Sequence, residues 1–168
     1  MLLAGGCVTN KPVATKVVVD PKQLEYRDGL MYFEGKAFKG VAVAKYLNGQ
    51  KEFEITFKDG KAHGLKTTWY NNGQKISEIT FKDGKAHGLW TQWYENGQKQ
   101  WEGTSKDGKW WSATVWKPNG EKCPDTNVVN GNGIMCWYHD NGQKEFEETY
   151  KDGKEISEKG WDEDGNPE

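Results

Sequence analysis

The sequence predicts an all-β fold, an array of antiparallel β-hairpins that repeats every 22 to 24 residues and forms one elongated sheet. Two observations predict it: turn glycines recur at fixed spacing, and polar and apolar residues alternate between the turns. The first glycine series is Gly49, Gly73, Gly97, Gly120, Gly142 and a weaker copy at Gly165, and the second is Gly60, Gly84, Gly108, Gly131 and Gly153. Each glycine of the second series follows its counterpart in the first by 11 residues.

Each of these glycines follows Asn or Asp. Both residues tolerate positive φ, so both series are predicted to be tight type I′ turns. Between the turns, Phe53, Ile55 and Phe57 alternate with polar residues, which is the period of a strand. An insertion in this arm would move its side chains to the other face, so the constant spacing of 11 residues indicates a regular strand. The other arm varies in length, and we expect β-bulges there.

The chain begins with MLLAGG before Cys7, and LLAGGC resembles the lipobox at the end of a bacterial lipoprotein signal peptide. The resemblance implies that Cys7 is lipidated and anchors the protein in the bacterial cell envelope. Six residues do not supply a complete signal peptide, so we expect the start to be clipped. The alternative is an ordinary apolar N-terminus with an incidental cysteine and a cytoplasmic protein.

A degenerate first repeat is expected to cap the array, because a stack of hairpins must end without a bare edge. Val17 to Val19 is predicted to be a first or edge strand, Arg27 to Gly29 a turn, and Leu30 to Phe33 a strand. The predicted domains are 1–7, the remnant of a lipoprotein signal peptide; 8–23, a tether and edge strand; 24–160, the hairpin repeat domain; and 161–168, an acidic tail that frays.

Composition agrees with a thin sheet. Hydrophobic residues make up 35% of the chain, too few for a two-layer globular core, but 13% of residues are aromatic and nine are Trp. Stability should therefore come from stacking several hairpins. The net charge is −2, with Lys and Glu interspersed, which argues against a polybasic surface for nucleic acid.

The segments YRDGLMYFEGKAFKG, YLNGQKEFEITFKDGKAHGL, WYNNGQKISEITFKDGKAHGL and WYENGQKQWEGTSKDGK resemble the MORN-variant repeat. From Leu24 onward the chain also resembles the bacterial YwqK-type antitoxin family. The resemblance implies a β-hairpin array without catalytic residues, and an antitoxin or immunity partner of a toxin. It supports the fold more strongly than the function. The chain departs from the repeat pattern between Gly120 and Met135.

The residues that would carry catalysis do not form a known arrangement. His63 and His87 occupy equivalent positions of successive repeats and His139 lies beside a turn, so the histidines make a poor zinc site. Glu52 and Glu54 alternate with apolar residues and belong to a solvated strand face. We therefore predict a protein that is not an enzyme and that has no cofactor and no metal.

Cys123 and Cys136 flank the Asn130-Gly131 turn. A two-residue turn there places Cys123 near Tyr138 and Cys136 near Asp125, so the two cysteines are out of register for a disulfide. A bulge would close that offset, and an exported protein permits a disulfide. A disulfide and two small buried residues remain as alternatives.

Aromatic residues are the candidates for binding a partner. The pairs Trp69-Tyr70, Trp93-Tyr94 and Trp137-Tyr138 are expected at one place in each hairpin, with one ring of each pair in the core and the other outside. The candidates are Trp69, Tyr70, Trp90, Trp93, Tyr94, Trp101, Trp110, Trp111, Trp137 and Tyr138. They either pack structurally or line an elongated surface groove.

Three functions fit this sequence. The preferred one is a non-enzymatic protein-binding module, either an envelope scaffold or an immunity protein for a cognate toxin, attached to a membrane through a lipid anchor. The second is a wall module for glycan- or choline-type ligands, whose rings would stack on sugars or cage a cation. The third is a structural spacer. Neither a nucleic-acid partner nor a small-molecule substrate is expected.

Overall fold

The computed structural model describes residues 17–106 and 109–168; Cys7 and the predicted Asp107-Gly108 turn lie outside these ranges. Nearly all of the described chain consists of strands joined by short turns. The strands are β1 (Val18–Val19), β2 (Glu25–Arg27), β3 (Leu30–Phe33), β4 (Lys36–Ala37), β5 (Gly40–Lys45), β6 (Lys51–Lys58), β7 (Lys61–Trp69), β8 (Lys75–Lys82), β9 (Lys85–Trp93), β10 (Lys99–Lys106), β11 (Lys109–Val115), β12 (Gly133–Tyr138), β13 (Lys144–Lys151) and β14 (Lys154–Gly160). A 3₁₀ turn, η1, spans Pro21–Gln23.

The strands form one large sheet and two small ones. The large sheet has eight strands in the order β1-β5-β6-β7-β8-β9-β10-β11, and the small sheets are β2-β3-β4 and β12-β13-β14. From β5 to β11 each strand pairs antiparallel with the next strand of the chain. The predicted all-β array of antiparallel hairpins is therefore confirmed, although its ladder is interrupted at two places.

The interruption after β11 has a local cause. The Cys123 N–H donates to the Val115 carbonyl at 2.8 Å, and the Ala113 N–H donates to the Val128 carbonyl at 3.3 Å. One residue separates the two bonding partners on β11, whereas four residues, 124–127, separate Cys123 from Val128 and are looped out. A regular strand beside β11 would form a continuous ladder of hydrogen bonds. The irregular fourth repeat instead forms isolated bonds with β11, so the large sheet ends there.

The Asp-Gly turns have the predicted geometry. Asp59 has φ of 51° and Gly60 of 77°, and Asp83 and Gly84 have 51° and 86°. Two successive residues with positive φ define the type I′ turn, whose twist matches that of the flanking strands.

The Asn-Gly turns of the first glycine series differ from the predicted type I′ geometry, whereas Asn130-Gly131, in the second series, has it. Gly73 has φ of 87°, but Asn72 is not among the residues with positive φ. The Gly73 N–H donates to the Tyr70 carbonyl, and the Gln74 N–H donates to Asn72 Oδ1 at 2.9 Å. The prediction was wrong here because the Asn side chain accepts from the backbone two residues ahead, which favours a three-residue turn with a glycine bulge.

Bulges lie in both arms of the repeat. In the arm of constant length, which was predicted to be regular, one residue of β8 lies unpaired between the partners of Thr68 and Trp69. In the arm of variable length the bulges are present as predicted. Phe57 pairs with Ala62 and Ile55 pairs with Lys66, so the register shifts between them. Gly64 lies within this shift and has φ of 91°, a conformation that costs other residues free energy. The same shift recurs between β8 and β9.

The N-terminal residues cap the large sheet. β1 pairs in parallel with β5, and the Val41 N–H donates to the Val17 carbonyl at 2.8 Å. The predicted edge strand is thus present. The sheet β2-β3-β4 lies against β5 and β6 through a cluster of buried residues. This cluster consists of Val19, Phe38, Ala42 and Phe57, with Leu24, Met31, Phe33, Ile55 and Ala62 packed against it.

The C-terminal residues form a turn instead of the predicted frayed tail. Asp162 Oδ1 accepts hydrogen bonds from the backbone N–H groups of Asp164 and Asn166, at 3.0 and 2.8 Å. Hydrogen bonds from Asn166 hold the pKa of the Asp162 carboxyl below its usual value. The Glu168 N–H donates to the Gly160 carbonyl. These residues repeat the Asn-Gly turn with Asp162 in the capping role, which the acidic composition concealed.

Replacing Gly84 with valine should destabilise the protein by about 1 to 2 kcal/mol, because a β-branched residue is strained at positive φ. A Cβ at this position meets Lys61 Cβ at 3.9 Å, so the cost comes from the backbone and not from a clash. Urea unfolding measures the change. Gly84→Asn is the matched control and should lose less, since Asn tolerates this conformation. Equal midpoints for the wild type and Gly84→Val would contradict the turn geometry.

Candidate binding faces of the array

The strand register sorts side chains onto two faces. Glu54 lies opposite Thr67, Thr67 opposite Glu78, and Glu78 opposite Thr91. Directly opposed residues share a face, so these side chains form a row across the sheet. We call the face that carries Glu54, Thr67, Glu78, Thr91 and Glu102 the ladder face. Thr67 and Thr91 are buried within this row.

A lysine on the ladder face contacts both a glutamate and a tryptophan. Lys51 Nζ lies 2.6 Å from Glu54 Oε2 and 5.4 Å from the centroid of the Trp69 ring. The same unit recurs as Lys75 with Glu78 at 2.6 Å and Trp93 at 5.5 Å, Lys99 with Glu102 at 2.8 Å and Trp116 at 5.1 Å, and Lys144 with Glu147 at 2.9 Å and Trp161 at 5.5 Å. Trp69 and Trp93 are thus half-buried, with a lysine over each ring.

The tyrosines connect successive hairpins. The Tyr46 hydroxyl donates to the Trp69 carbonyl at 2.6 Å, and the Tyr94 hydroxyl donates to the Trp116 carbonyl at 3.0 Å. Tyr70 makes the equivalent contact at 3.4 Å. Burial raises the pKa of Tyr94 to about 12, so its hydroxyl stays protonated as a donor. Tyr70 and Tyr94 therefore hold neighbouring repeats together.

The opposite face carries a tryptophan cluster. Trp101 is 2% exposed, and the rings of Trp90, Trp110 and Trp137 lie around it with centroid separations of 5.2, 4.9 and 5.8 Å. These rings were candidates for a surface groove, but they pack with Val115 and other buried residues in the larger core cluster. Trp101 is thus buried in packing and does not line a groove, and the three partly buried rings pack against it, because a thin sheet gains stability by burying its largest side chains.

The pair Trp137-Tyr138 is displaced by one position from the other aromatic pairs. The His139 N–H donates to the Gln143 carbonyl, as the Tyr70 N–H does to the Gln74 carbonyl. Tyr138 therefore occupies the position of Trp69, and Trp137 points to the opposite face. The expectation of one common place was wrong because one extra residue lies between this pair and its turn: Trp137 precedes Gly142 by five residues, whereas Trp69 precedes Gly73 by four.

Apolar side chains remain exposed on the ladder face near the bulges. Leu65 is 47% exposed and pairs with Thr80, and Leu89 is 50% exposed and pairs with Thr104. Among the ten aromatic candidates, Trp111 has an exposed side chain, with 48% of its surface accessible. The sequence interpretation missed the two leucines; the signal for them is the bulge glycine that precedes each one, Gly64 and Gly88.

Cys123 and Cys136 are buried free thiols, so the possible disulfide is not formed in the structure. The predicted register is present: the Tyr138 hydroxyl donates to Cys123 Sγ at 2.9 Å. The two sulfur atoms and a carboxylate oxygen of Asp125 lie within 4.8 Å of one another. The sequence placed Asp125 beside Cys136 but assigned it no role.

The histidines are not gathered into a metal-ligating cluster in the part of the chain that the structure describes. His63 Nδ1 lies 3.5 Å from Asp83 Oδ1 at the surface, and His139 Nε2 lies 2.9 Å from the Trp161 carbonyl oxygen. Both contacts fit structural roles within the repeat. The group of potential metal ligands that the described residues do form is Cys123, Asp125 and Cys136.

A small apolar groove of about 270 Å³ lies between the N-terminal cap and the large sheet. Its lining includes Leu24, Met31, Phe53 and Ile55, with Lys66 at the margin. Paired carboxylates and histidines are absent from this lining, so the groove lacks an acid–base pair. In residues 17–106 and 109–168, no helix is long and apolar enough to cross a membrane.

Replacing Tyr94 with phenylalanine should lower the free energy of unfolding by about 1 kcal/mol, because the partly buried Trp116 carbonyl loses its donor. Tyr26→Phe is the matched control, since Tyr26 is 72% exposed. Chemical unfolding of both variants measures the difference. A Tyr94→Phe variant as stable as Tyr26→Phe would contradict a stabilising role for the hydroxyl.

Comparison with protein-family models finds the MORN repeat variant at residues 62–83, 86–107 and 132–152. No curated protein matches the chain in a sequence search. The first match covers β7 and β8, the second β9 and β10, and the third β12 and β13. Each matched segment is thus a pair of antiparallel strands joined by an Asn-Gly turn. The matches support a MORN-repeat protein.

Proposed function

We propose that the protein is a non-enzymatic binding module whose partner is another protein. The observation that carries this proposal is the ladder face, where exposed apolar side chains lie beside rows of paired charges. Leu65 and Leu89 are each about half exposed there. Apolar side chains exposed beside charges are typical of protein-interaction sites. MORN repeats are commonly modules that bind proteins or membranes.

The charges on the ladder face favour a protein over nucleic acid or an anionic membrane. Lys51, Lys75 and Lys99 each lie within 2.8 Å of a glutamate oxygen. The face is therefore nearly neutral in sum, whereas phosphate binding needs unpaired cations. Alternating charges at fixed spacing also provide a pattern that a complementary protein surface can match.

The same contacts make a glycan- or choline-binding module the weaker candidate. A sugar or a quaternary ammonium group needs an open ring face. The rings of Trp69, Trp93 and Trp116 each have a lysine ammonium within 5.5 Å of the centroid. A ligand would have to displace a lysine that also pairs with a glutamate.

We further propose that the protein is an antitoxin or immunity protein and that a lipid anchors it in the cell envelope. These two parts of the proposal are supported by the sequence resemblance to the YwqK-type family and by LLAGGC around Cys7. In this proposal a lipid on Cys7 holds the array at a bacterial membrane, and the ladder face binds a toxin or an envelope protein.

A pull-down from envelope extracts of the source bacterium tests the binding role. The bait is the full chain, and the variant is Leu65→Asp with Leu89→Asp. We expect one stoichiometric protein that the wild type retains and whose affinity falls at least about tenfold in the variant, equivalent to about 1.4 kcal/mol. The affinity is then measured with the purified partner.

Leu47→Asp is the control, because Leu47 is fully exposed at a turn and away from the ladder face. It should bind the partner as the wild type does. Equal binding by the double variant, or recovery of glycan alone, would contradict the proposal. A toxin as the recovered partner would support immunity, and an envelope protein would support a scaffold.

Lipidation is tested separately by growing cells with a labelled fatty acid. The full-length protein should incorporate the label, and Cys7→Ser should abolish incorporation because the thiol is the acceptor. Cys123→Ser, which alters a buried cysteine, should still be labelled. Label that persists in Cys7→Ser would exclude Cys7 as the anchor.

A further inference from the structure

We propose that Cys123, Asp125 and Cys136 form a binding site for a thiophilic divalent metal ion of the zinc class. The proposal rests on three side chains that the irregular fourth repeat brings together, and it does not depend on the proposed protein-binding role. Their ligand atoms, two sulfur atoms and one carboxylate oxygen, lie within 4.8 Å of one another.

This geometry is close to that of a tetrahedral zinc site. Zinc–sulfur bonds of about 2.3 Å place two thiolate ligands roughly 3.8 Å apart. The observed upper limit of 4.8 Å therefore requires only a small contraction around the ion. Three protein ligands leave a fourth position for water, and the site is open to solvent on the side of Asp125, which is exposed.

The surroundings of Cys123 are suited to a thiolate. Its sulfur accepts one hydrogen bond from the Tyr138 hydroxyl at 2.9 Å and a second from the Thr126 hydroxyl at 3.4 Å. A neutral thiol and a disulfide sulfur are both weak acceptors, whereas a metal-bound thiolate carries negative charge and accepts readily. The Tyr138 and Thr126 hydroxyls would therefore orient and stabilise the Cys123 thiolate as a ligand of the metal ion.

Hydrogen bonds hold the looped-out segment that contains Asp125 against β12. The Cys136 N–H donates to Thr126 Oγ1 at 3.1 Å, and the Ile134 N–H donates to Asn127 Oδ1 at 2.8 Å. β12, which carries Cys136, pairs with β13 in a regular ladder. Towards the looped-out segment it has these side-chain bonds in place of a second ladder. The same irregularity that interrupts the sheet therefore holds Asp125 beside both sulfur atoms.

The nearby charges balance a bound dication. Two thiolates and the Asp125 carboxylate carry three negative charges, and a dication leaves one. Lys144 Nζ lies 3.6 Å from Asp125 Oδ2 and supplies the compensating positive charge. Lys144 also contacts Glu147, whose second oxygen lies 3.6 Å from Lys159 Nζ. The assembly is therefore neutral, which lowers the cost of burying the ion beside the core.

Cobalt titration of the full chain tests the site. The protein carries Cys7→Ser, to remove the remaining thiol, and is kept reduced with a phosphine. One equivalent of Co²⁺ should give a thiolate-to-metal charge-transfer band and the strong visible bands of tetrahedral cobalt. One equivalent of Zn²⁺ should displace the cobalt, raise Tm and be reversed by a chelator.

Two variants make the assignment specific. Cys123→Ser should abolish the charge-transfer bands, and Asp125→Asn should weaken zinc binding by about tenfold or more. Asp125→Asn alters an exposed side chain and should fold normally, which circular dichroism checks. Asp152→Asn, at a turn, is the matched control and should bind zinc as the wild type does.

Three outcomes would overturn the proposal. The first is the absence of cobalt bands from the folded, reduced protein. The second is unchanged binding in both Cys123→Ser and Asp125→Asn. The third is a Cys123–Cys136 disulfide in protein isolated without reductant from its native compartment, since a disulfide provides no thiolate ligand.

Discussion

The array depends on hydrogen bonds that link each hairpin to the next. A single hairpin is marginally stable in water, so each repeat needs its neighbour. Tyr46 and Tyr94 each donate across one period to a tryptophan carbonyl, and the Asn48 amide donates to the Asn71 carbonyl at 2.8 Å. These bonds fix the distance between successive turns. The lysine–glutamate–tryptophan units can repeat along the ladder face because that distance is constant.

The fold was predictable because turn chemistry is local. Asp83-Gly84 specifies a type I′ turn through two residues with positive φ. The spacing of 11 residues between the two turns is the same in every repeat, which restricts the strand register. The Asn72-Gly73 turn was predicted in position but not in type. Its geometry depends on a hydrogen bond from the Gln74 N–H to the Asn72 side chain, and turn dipeptides alone do not specify that bond.

The candidate site was less predictable because it depends on contacts between distant strands. The sequence shows that Trp101 lies on a strand, but not that Trp137, on β12 of another sheet, packs against it and helps to bury it. One extra residue between the aromatic pair and the Asn141-Gly142 turn exchanged the faces of Trp137 and Tyr138. The Asn130-Gly131 turn predicted that Asp125 lies near Cys136. No pattern in the sequence predicted the looped-out segment that contains Asp125.

The tryptophan cluster also concentrates the near-ultraviolet circular dichroism of the protein in one region of the chain. Trp90, Trp101, Trp110 and Trp137 are four of the nine tryptophans, and each has a neighbouring indole within 5.8 Å. Indoles this close couple their electronic transitions, so near-ultraviolet circular dichroism should be dominated by the second half of the array. Loss of that signal would report the opening of the irregular repeat while the N-terminal hairpins remain folded. The chain thus contains an intrinsic chromophore for following its unfolding one region at a time.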